Sequence, residues 1–362
     1  MDIINIYDNS DKLYYIGGVV RDKLLGVESF DVDITYVGNA IEDCSKFGDV
    51  IRVNPDFGTV RVKVQGREVD FASTRSEIYE KKGHLPIVTK IGCSLKEDVL
   101  RRDFTVNALA MSVSTGEITD YTGGQEDLKN KILRVLHDES FIDDPTRIIR
   151  ALKFRIRFGF HLEDNTKRLQ EDYLANINYD ISYKRVKKEL IETFNLNSQR
   201  AFELFVNEGI YKLISPEKFE LPNINIEELV KKYPVQNIWL VYIGLMPDLS
   251  RIELTKEERK IVEDFCAVGD LKTDFEIYKA FDGLALESIL LYAVAKNKAC
   301  ALRYLDVLQY IKISVTGDDL LNLGIKPSPK YQEIFDCILK EKLKNPDMTK
   351  KDEINLVKLI KN

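Results

Sequence analysis

Two aspartates that alternate along a short segment are the strongest candidates for catalytic residues in this sequence. The segment Phe30–Tyr36 predicts a strand, and the alternation of side chains along a strand puts Asp31 and Asp33 on the same face. Two carboxylates this close repel each other unless a cation lies between them, and such hard oxygen ligands suit Mg²⁺. A pair of metal ions can activate an attacking hydroxyl and stabilise a leaving pyrophosphate. A lone Asp-x-Asp is also typical of a solvated strand edge.

A third carboxylate could complete this set. The segments Val60–Val64 and Arg67–Phe71 predict a hairpin, and Asp70 lies near its end. We therefore predict Asp70 as the third catalytic carboxylate, and an exposed strand aspartate without a role is the alternative.

A glycine pair before a predicted helix offers a site for phosphate. Lys12–Ile16 predicts a strand, Gly17 and Gly18 end it by permitting positive φ, and Val19–Leu25 predicts a short helix. The first N–H groups of a helix have no internal partner and can donate to phosphate oxygens, and Arg21 adds a positive charge. An ordinary turn between a strand and a helix is the competing interpretation.

The sequence Asp143-Asp-Pro-Thr-Arg147 predicts a helix start that could read a base. Proline is favoured at the first helical position, and Asp143 is predicted as the N-cap. Asp144 and Arg147 are three residues apart and therefore share a helix face. A carboxylate accepts from an exocyclic amine and a guanidinium donates to ring acceptors, so this pair would favour cytosine and adenine over uracil and guanine.

The helix predicted after this motif carries cations on one face. Arg147, Arg150, Lys153 and Arg157 recur at helical intervals opposite an apolar stripe. We interpret the cationic face as offered to phosphates, with Arg150 in the nucleotide site, and a solvated surface as the alternative.

Five motifs occur along the first half of the chain: Gly17–Asp22, Asp31–Asp33, Arg101–Ala110, Asp120–Leu128 and Asp143–Arg150. Their order resembles that of the class II tRNA nucleotidyltransferases, the family of CCA-adding enzymes and bacterial poly(A) polymerases. The second half is similar only loosely, best at Leu323–Tyr331, which resembles a tail segment of many bacterial members.

The resemblance implies an activity and further site residues. The family adds C and A from CTP and ATP to the 3′ end of a tRNA with Mg²⁺ and releases pyrophosphate, and Arg102, Asp103 and Asn107 would contact ribose and phosphates. We predict Arg101–Ala110 as a helix that buries Ala108 and Leu109. Asp143 stands where the family usually has Glu. Lys184 also replaces a usual Glu, in a motif that supports the helix turn.

The resemblance also implies a fold. We expect an α+β nucleotidyltransferase domain of the DNA polymerase beta type, with a small mixed sheet and flanking helices, followed by an all-α region, in an elongated molecule. The expected domains are a catalytic head (1–125), a helical base-reading neck (126–195) and a helical body and tail (196–362) that binds tRNA. Helical periodicity is found in Lys184–Phe194, Gln199–Phe205, Ile226–Lys232, Lys256–Phe265, Ala285–Lys296 and Leu302–Ile311.

Which nucleotides are added stays open. The family uses a charged loop such as Tyr79–Leu85 to switch from C to A, which favours complete CCA addition or A-only addition over CC-only addition. No long basic C-terminal extension is present, which argues against a poly(A) polymerase. An inactive RNA-binding scaffold is the alternative from another class, although the carboxylates and the glycine turn are intact. A dinucleotide-binding Rossmann protein does not fit, because the G-x-G-x-x-G spacing is missing.

Composition limits the remaining possibilities. With 362 residues and 44% hydrophobic content, two to three domains can form cores. The net charge of −6 argues against an RNA partner, but lysine and arginine cluster at Arg147–Arg157, Lys184–Lys188 and Lys340–Lys351. The five cysteines show no metal-binding spacing, and we expect them to be reduced. With neither a membrane-spanning run nor a signal peptide apparent, a cytoplasmic location is expected.

Overall fold

The computed structural model describes residues 11–28 and 33–361. The chain forms two compact units, of which unit 1 comprises residues 1–219 and 248–253 and unit 2 comprises residues 220–247 and 254–362. In the described residues, no helix is both long and apolar enough to cross a membrane.

A mixed sheet of seven strands forms the centre of unit 1, in the order β3-β4-β5-β2-β1-β8-β9. Strands β2 and β5 run parallel, and the other neighbours are antiparallel. Two more strands, β6 and β7, form a separate hairpin, and β10 and β11 form a short parallel pair. The strands are β1 Leu13–Ile16, β2 Asp33–Tyr36, β3 Asp49–Asn54, β4 Thr59–Val64, β5 Arg67–Ser73, β6 Arg75–Ile78, β7 Ile87–Ile91, β8 Leu109–Ser112, β9 Ile118–Asp120, β10 Ile132–Leu133 and β11 His161–Leu162.

One face of this sheet is buried and the other is open at strands β4 and β5. Val60, Val62 and Val64 are buried, whereas Arg61 and Lys63 between them are exposed. Val69 and Phe71 continue the buried face on β5. This alternation is the period-2 pattern of a half-buried strand, so the predicted hairpin is confirmed, and its charged residues Arg61, Lys63, Glu68 and Asp70 share the open face.

Nine helices lie between or after these strands in the described part of unit 1. Helix α6 begins directly after Pro145 and buries Ile148, Ile149 and Leu152, so the predicted apolar stripe is confirmed. The helices are α1 Gly18–Leu25, α2 Ala40–Cys44, α3 Leu95–Leu100, α4 Gly124–Lys129, α5 Ser140–Asp143, α6 Thr146–Phe158, α7 Asp164–Ala175, α8 Tyr183–Phe194 and α9 Gln199–Asn207.

The described part of unit 2 is helical. Its core contains the aromatic residues Trp239, Tyr242, Phe281 and Tyr292. Near the C-terminus the buried Glu353 accepts from Lys342 and from the backbone N–H groups of Ser314 and Val315. The helices are α10 Ile226–Lys232, α11 Ile238–Ile243, α12 Lys256–Ala267, α13 Asp274–Phe281, α14 Leu286–Ala295, α15 Lys298–Asp306, α16 Gly317–Asn322, α17 Lys330–Lys344 and α18 Lys350–Lys361.

This architecture confirms the expected fold class, a mixed sheet with helices followed by a helix-rich region. The helix predicted at Leu302–Ile311 is displaced, because α15 ends at Asp306 and a short 3-10 turn follows at Leu308–Tyr310. The division into a head, a neck and a body stays a prediction, since the chain divides into two compact units and not three.

Candidate active site

Strand register brings two of the predicted carboxylates together. Asp33 on β2 lies directly opposite Asp70 on β5, and residues directly opposite each other on neighbouring strands share a face. Asp70 accepts from Arg61 Nε at 2.8 Å and from Arg61 Nη2 at 2.7 Å. Asp31 lies outside the described residues. Within residues 11–28 and 33–361, no group of three or more Asp, Glu, His or Cys residues could hold a metal ion.

Two guanidinium groups flank the glycine turn. Gly17 has a φ of 67°, and its N–H donates to the carbonyl of Leu109 at 3.1 Å. A Cβ atom on Gly17 would lie 2.9 Å from Arg102 Nη1, and one on Gly18 would lie 3.6 Å from Arg21 Nη2. Helix α1 starts at this turn, so its free N–H groups and both cations converge on one place, as a polyphosphate site requires.

Arg21 is buried on a platform of side chains from other elements. Its Nε and Nη2 donate to Asp22 Oδ1 at 2.8 and 2.6 Å, and its Nη1 donates to Asn107 Oδ1 at 2.7 Å. Its guanidinium carbon lies 5.0 and 4.5 Å from the ring centroids of Phe154 and Phe158. Burial lowers the pKa of Arg21, and Asp22 opposes that effect. The two rings on α6 therefore fix the position of this cation.

Asp103 joins the glycine turn to helix α6. Its Oδ1 accepts from Asn107 Nδ2 at 3.0 Å, and its Oδ2 accepts from Arg150 Nε and Nη2 at 3.0 and 2.8 Å. Arg150 also donates to Glu189 on α8 at 2.9 Å. Burial acts to raise the pKa of Asp103, but the Arg150 charge and the Asn107 hydrogen bond outweigh it and hold this pKa well below its usual value. These contacts form a continuous chain, Arg21–Asn107–Asp103–Arg150–Glu189.

The motif Arg101–Ala110 does not form the predicted helix. Thr105–Asn107 is a single 3-10 turn, and strand β8 begins at Leu109 and pairs with β1 and β9. Ala108 and Leu109 are fully buried, as expected. Pairing on both edges of β8 therefore overrides the helical preference of the alanines, because local propensity is a weak constraint against tertiary contacts.

Asp144 is held by neighbours on two sides. Its Oδ1 accepts from the Thr146 N–H at 3.2 Å and the Thr146 hydroxyl at 2.6 Å, and its Oδ2 accepts from Arg185 of α8. Only 4% of the residue is exposed. Asp144 therefore stabilises the start of α6 and at the same time is oriented by Arg185 of α8.

Arg147 is equally buried and is held by different partners. Its Nη1 donates to Ser140 Oγ at 2.7 Å, and its Nη2 donates to Tyr79 OH at 3.3 Å and to the Arg101 carbonyl at 3.2 Å. Burial raises the pKa of Tyr79, and the Arg147 charge opposes this shift. Separate partners thus hold the side chains of Asp144 and Arg147. Their spacing of three residues suggested instead that the two side chains could contact each other.

Asp143 was predicted as the N-cap of α6, but it does not occupy that position. It is the last residue of α5, its carboxylate pairs with Lys82, and its carbonyl accepts from the Gly83 N–H at 2.9 Å. The N-cap position of α6 is Pro145, and Asp144 contacts the first helical N–H. The prediction failed because two acidic residues precede the proline and sequence does not distinguish which of them the helix uses.

The charged loop Tyr79–Leu85 joins β6 to β7 and packs against the start of α8. The Ser182 N–H donates to the Gly83 carbonyl at 2.9 Å, His84 Nε2 lies 3.0 Å from Asp180 Oδ1, and Arg185 Nη1 donates to the His84 carbonyl at 3.3 Å. Arg185 therefore contacts both this loop and Asp144.

Acidic residues of α8 pair with two members of the cationic face of α6, Arg150 and Lys153. Lys153 is buried and donates to Glu189 at 2.8 Å and to Glu192 at 2.5 Å. Arg155 pairs with Glu208. The interpretation of the whole stripe as a phosphate-binding face is therefore wrong for Lys153. The signal that could have found these partners is the spacing of the two α8 glutamates, three residues apart on one helical face.

Comparison with known proteins shows which proteins this chain resembles. Residues 13–134 match the family model of the poly A polymerase head domain. The A-adding tRNA nucleotidyltransferase of Geobacter sulfurreducens is 32% identical over 95% of this chain, but the match spans only 44% of that relative's length. The enzyme of the same name from Halalkalibacterium halodurans is 28% identical, covering 96% of this chain and 88% of the relative.

A solved structure of a CCA-adding enzyme in its apo form II is also similar. It superposes with a TM-score of 0.80 at 25% identity, covering 97% of this chain and 92% of the other. These matches support a relationship of this chain to the class II CCA-adding enzyme family. This family generally uses divalent metal ions, and the carboxylate oxygens of Asp33 and Asp70 are the donors that such hard ions prefer.

Proposed function

We propose that this protein is a template-independent RNA nucleotidyltransferase that adds C, A or both to the 3′ end of tRNA, using CTP and ATP. The observation that carries the proposal is the chain of contacts from the glycine turn through Asn107 and Asp103 to helix α6, whose first turn carries Arg147. A triphosphate site and a base-reading pair on one connected framework allow protein side chains to do the work of a nucleic-acid template.

The side chains divide the work of the reaction. Gly17, Gly18, Arg21 and Arg102 bind and orient the triphosphate. Asp103, Asn107 and Arg150 hold Arg21 and the sugar end of the nucleotide. Asp144 and Arg147 select the base by accepting from its exocyclic amine and donating to its ring acceptors. Orientation of the reacting groups and electrostatic stabilisation then supply most of the rate enhancement.

The carboxylates are assigned to Mg²⁺. Asp31, Asp33 and Asp70 would hold it, and when bound it supplies charge that lowers the pKa of the attacking hydroxyl and stabilises the leaving pyrophosphate. The shared face of Asp33 and Asp70 supports this assignment. We expect Asp33→Asn to abolish incorporation while the affinity for RNA stays close to that of the unaltered protein, measured by filter binding. Lost binding with normal chemistry would contradict the assignment.

The product is tested with transcripts of tRNA that end before CCA, after the first C, or after CC. Each transcript is incubated with labelled CTP and ATP, separately and together. Addition of all three nucleotides identifies a complete CCA-adding enzyme, and A added only to the transcript ending in CC identifies an A-adding enzyme. The contacts that hold the loop Tyr79–Leu85 beside Asp144, and the relatives named for A addition, favour a product that contains A.

Two other products and one inactive alternative have their own outcomes in the same assay. Addition of C alone would identify a CC-adding enzyme, and long runs of A on unrelated RNA would identify a poly(A) polymerase. No incorporation on any transcript would refute the proposed activity in favour of an RNA-binding scaffold.

A further inference from the structure

A single row of charged residues crosses the open face of the sheet. Arg52 on β3 lies opposite Arg61 on β4, Arg61 lies opposite Asp70 on β5, and Asp70 lies opposite Asp33 on β2. Because residues directly opposite each other share a face, all four point to the same side. The row is negative at the centre of the sheet and positive at its edge strand.

The positive end of this row lines a polar groove of about 230 Å³. We call it the Arg52 groove, and it is lined by Arg52, Asn54, Thr59, Arg61 and Asp70. Every side chain in its wall is polar, and four of the five carry hydrogen-bond donors. A groove with this lining fits an anion that accepts hydrogen bonds through several oxygens, such as a phosphodiester.

The two arginines differ in their partners. Arg61 is engaged by the Asp70 carboxylate through two nitrogens. Arg52 makes no side-chain hydrogen bond or ion pair with any residue of the described part of the chain. Like charges directly opposite each other on neighbouring strands destabilise a sheet, so the fold itself gains nothing from this pair. An anionic ligand between the two arginines would attract both and turn their repulsion into a net stabilising interaction.

The order of the strands indicates which anion approaches from this side. The glycine turn follows β1, and the sheet order β3-β4-β5-β2-β1 puts the carboxylate strands between that turn and the two arginines. In phosphoryl transfer the attacking and leaving oxygens lie on opposite sides of the phosphorus. With the triphosphate at the glycine turn, the attacking 3′-hydroxyl arrives from the side of β4 and β3.

We infer that the Arg52 groove binds the last phosphodiester of the acceptor RNA and thereby positions its terminal 3′-hydroxyl at the carboxylates. Strands β3 and β5 are two positions apart, about 10 Å, a separation that an arginine side chain and one nucleotide can bridge together. Arg52 is a binding residue for RNA in this inference, and it is separate from the residues assigned to the incoming nucleotide. The inference depends on the proposed nucleotidyltransferase activity for its role, but the binding itself can be measured alone.

Arg52→Gln is the decisive variant, because it removes the charge from an exposed strand position and keeps a polar side chain. Arg168→Gln is the matched control, since Arg168 is an exposed arginine on α7 that pairs with Asn165 and Asp172. With a tRNA transcript ending in CC and labelled ATP, we expect Arg52→Gln to raise the KM for RNA about fivefold and leave the KM for ATP unchanged. The slope of log KM against log salt should fall by about 0.7, the value for one phosphate contact on a single strand.

A chemically altered RNA tests the assignment to one linkage. A neutral methylphosphonate in place of the last phosphodiester should raise the KM for RNA of the unaltered protein by the same factor as Arg52→Gln does with normal RNA. Arg52→Gln acting on the methylphosphonate RNA should show no larger KM than either change alone. The inference would be overturned if the two increases in the KM for RNA multiplied when combined. It would also be overturned by a raised KM for ATP or by an equal effect of Arg168→Gln.

Failure of the inference and failure of the proposed activity give different results. If the unaltered protein transfers no nucleotide, the proposed activity fails. Filter binding of the tRNA transcript ending in CC, now carrying the label itself, still tests whether the Arg52 groove binds RNA. Equal dissociation constants of the unaltered protein and Arg52→Gln for the transcripts would overturn the inference that the groove binds RNA, whether or not nucleotide is transferred.

Discussion

Replacing Asp103 by asparagine tests the framework that connects the glycine turn to helix α6. The change keeps the shape of the side chain and removes its charge. Arg150 then loses the charged acceptor that it contacts at 3.0 and 2.8 Å, since asparagine offers only a neutral amide oxygen, and it keeps Glu189. Asn107, which orients Arg21, loses its carboxylate partner at 3.0 Å.

The expected loss of stability follows from these contacts. A hydrogen bond to a charged group contributes about 1.5–3 kcal/mol, and breaking a buried ion pair costs about 3–5 kcal/mol. The Arg150 side chain is 33% exposed and retains Glu189, so solvent screening and the second partner reduce the cost. We expect Asp103→Asn to lower the free energy of unfolding by about 2–3 kcal/mol at neutral pH.

The effect should depend on pH in one direction. The pKa of Asp103 in the folded protein lies below that of an unfolded aspartate, about 3.9, so the unfolded chain binds a proton first as the pH falls. The stabilisation is therefore complete above about pH 5 and is lost as the pH decreases through the folded pKa. The difference between the unaltered protein and Asp103→Asn should narrow below about pH 4.

Urea unfolding followed by far-ultraviolet circular dichroism, at neutral and acidic pH, measures this difference. The same variant should raise the KM for CTP and ATP alike, because Arg21 loses its orientation. Glu353→Gln is the control, since it breaks the buried pair with Lys342 in unit 2, and the fluorescence of the single tryptophan, Trp239, reports on that unit. It should destabilise the protein without changing either KM. An Asp103→Asn protein with unaltered stability at neutral pH would refute the reasoning.

Two other substitutions test the base-reading pair and the turn. Arg147→Ala removes the donors that we propose for base selection and should reduce the preference for ATP over GTP about tenfold, measured as the ratio of kcat/KM values; an unchanged ratio would show that another group selects the base. Gly17→Ala introduces a Cβ at a φ of 67° and 2.9 Å from Arg102 Nη1, so it should cost about 1–2 kcal/mol of stability and raise the KM for both nucleotides. A thermal midpoint equal to that of the unaltered protein would contradict the close approach seen at this turn.

Patterns within short segments were enough to predict many elements and to nominate candidate residues for the site. The alternation of Val60, Val62 and Val64 predicts a half-buried strand, and the structure confirms it. Glycines after the aromatic strand predict the turn that precedes α1, and Gly17 has the expected positive φ. The motif order also indicated the family. These features succeed because side-chain periodicity and backbone freedom are properties of a few consecutive residues.

The partners of the site residues depended on the tertiary structure. Asp103 and Arg150 are 47 positions apart, and the register of Asp33 with Asp70 follows from the parallel pairing of β2 and β5. Strand β8 replaced a predicted helix because it is paired on both sides, and Lys153 became a buried partner of α8 instead of a phosphate contact. The sequence by itself determined which chemical groups this protein carries. Which of them meet was decided by sheet register and helix packing, because these bring together residues whose separation no local pattern encodes.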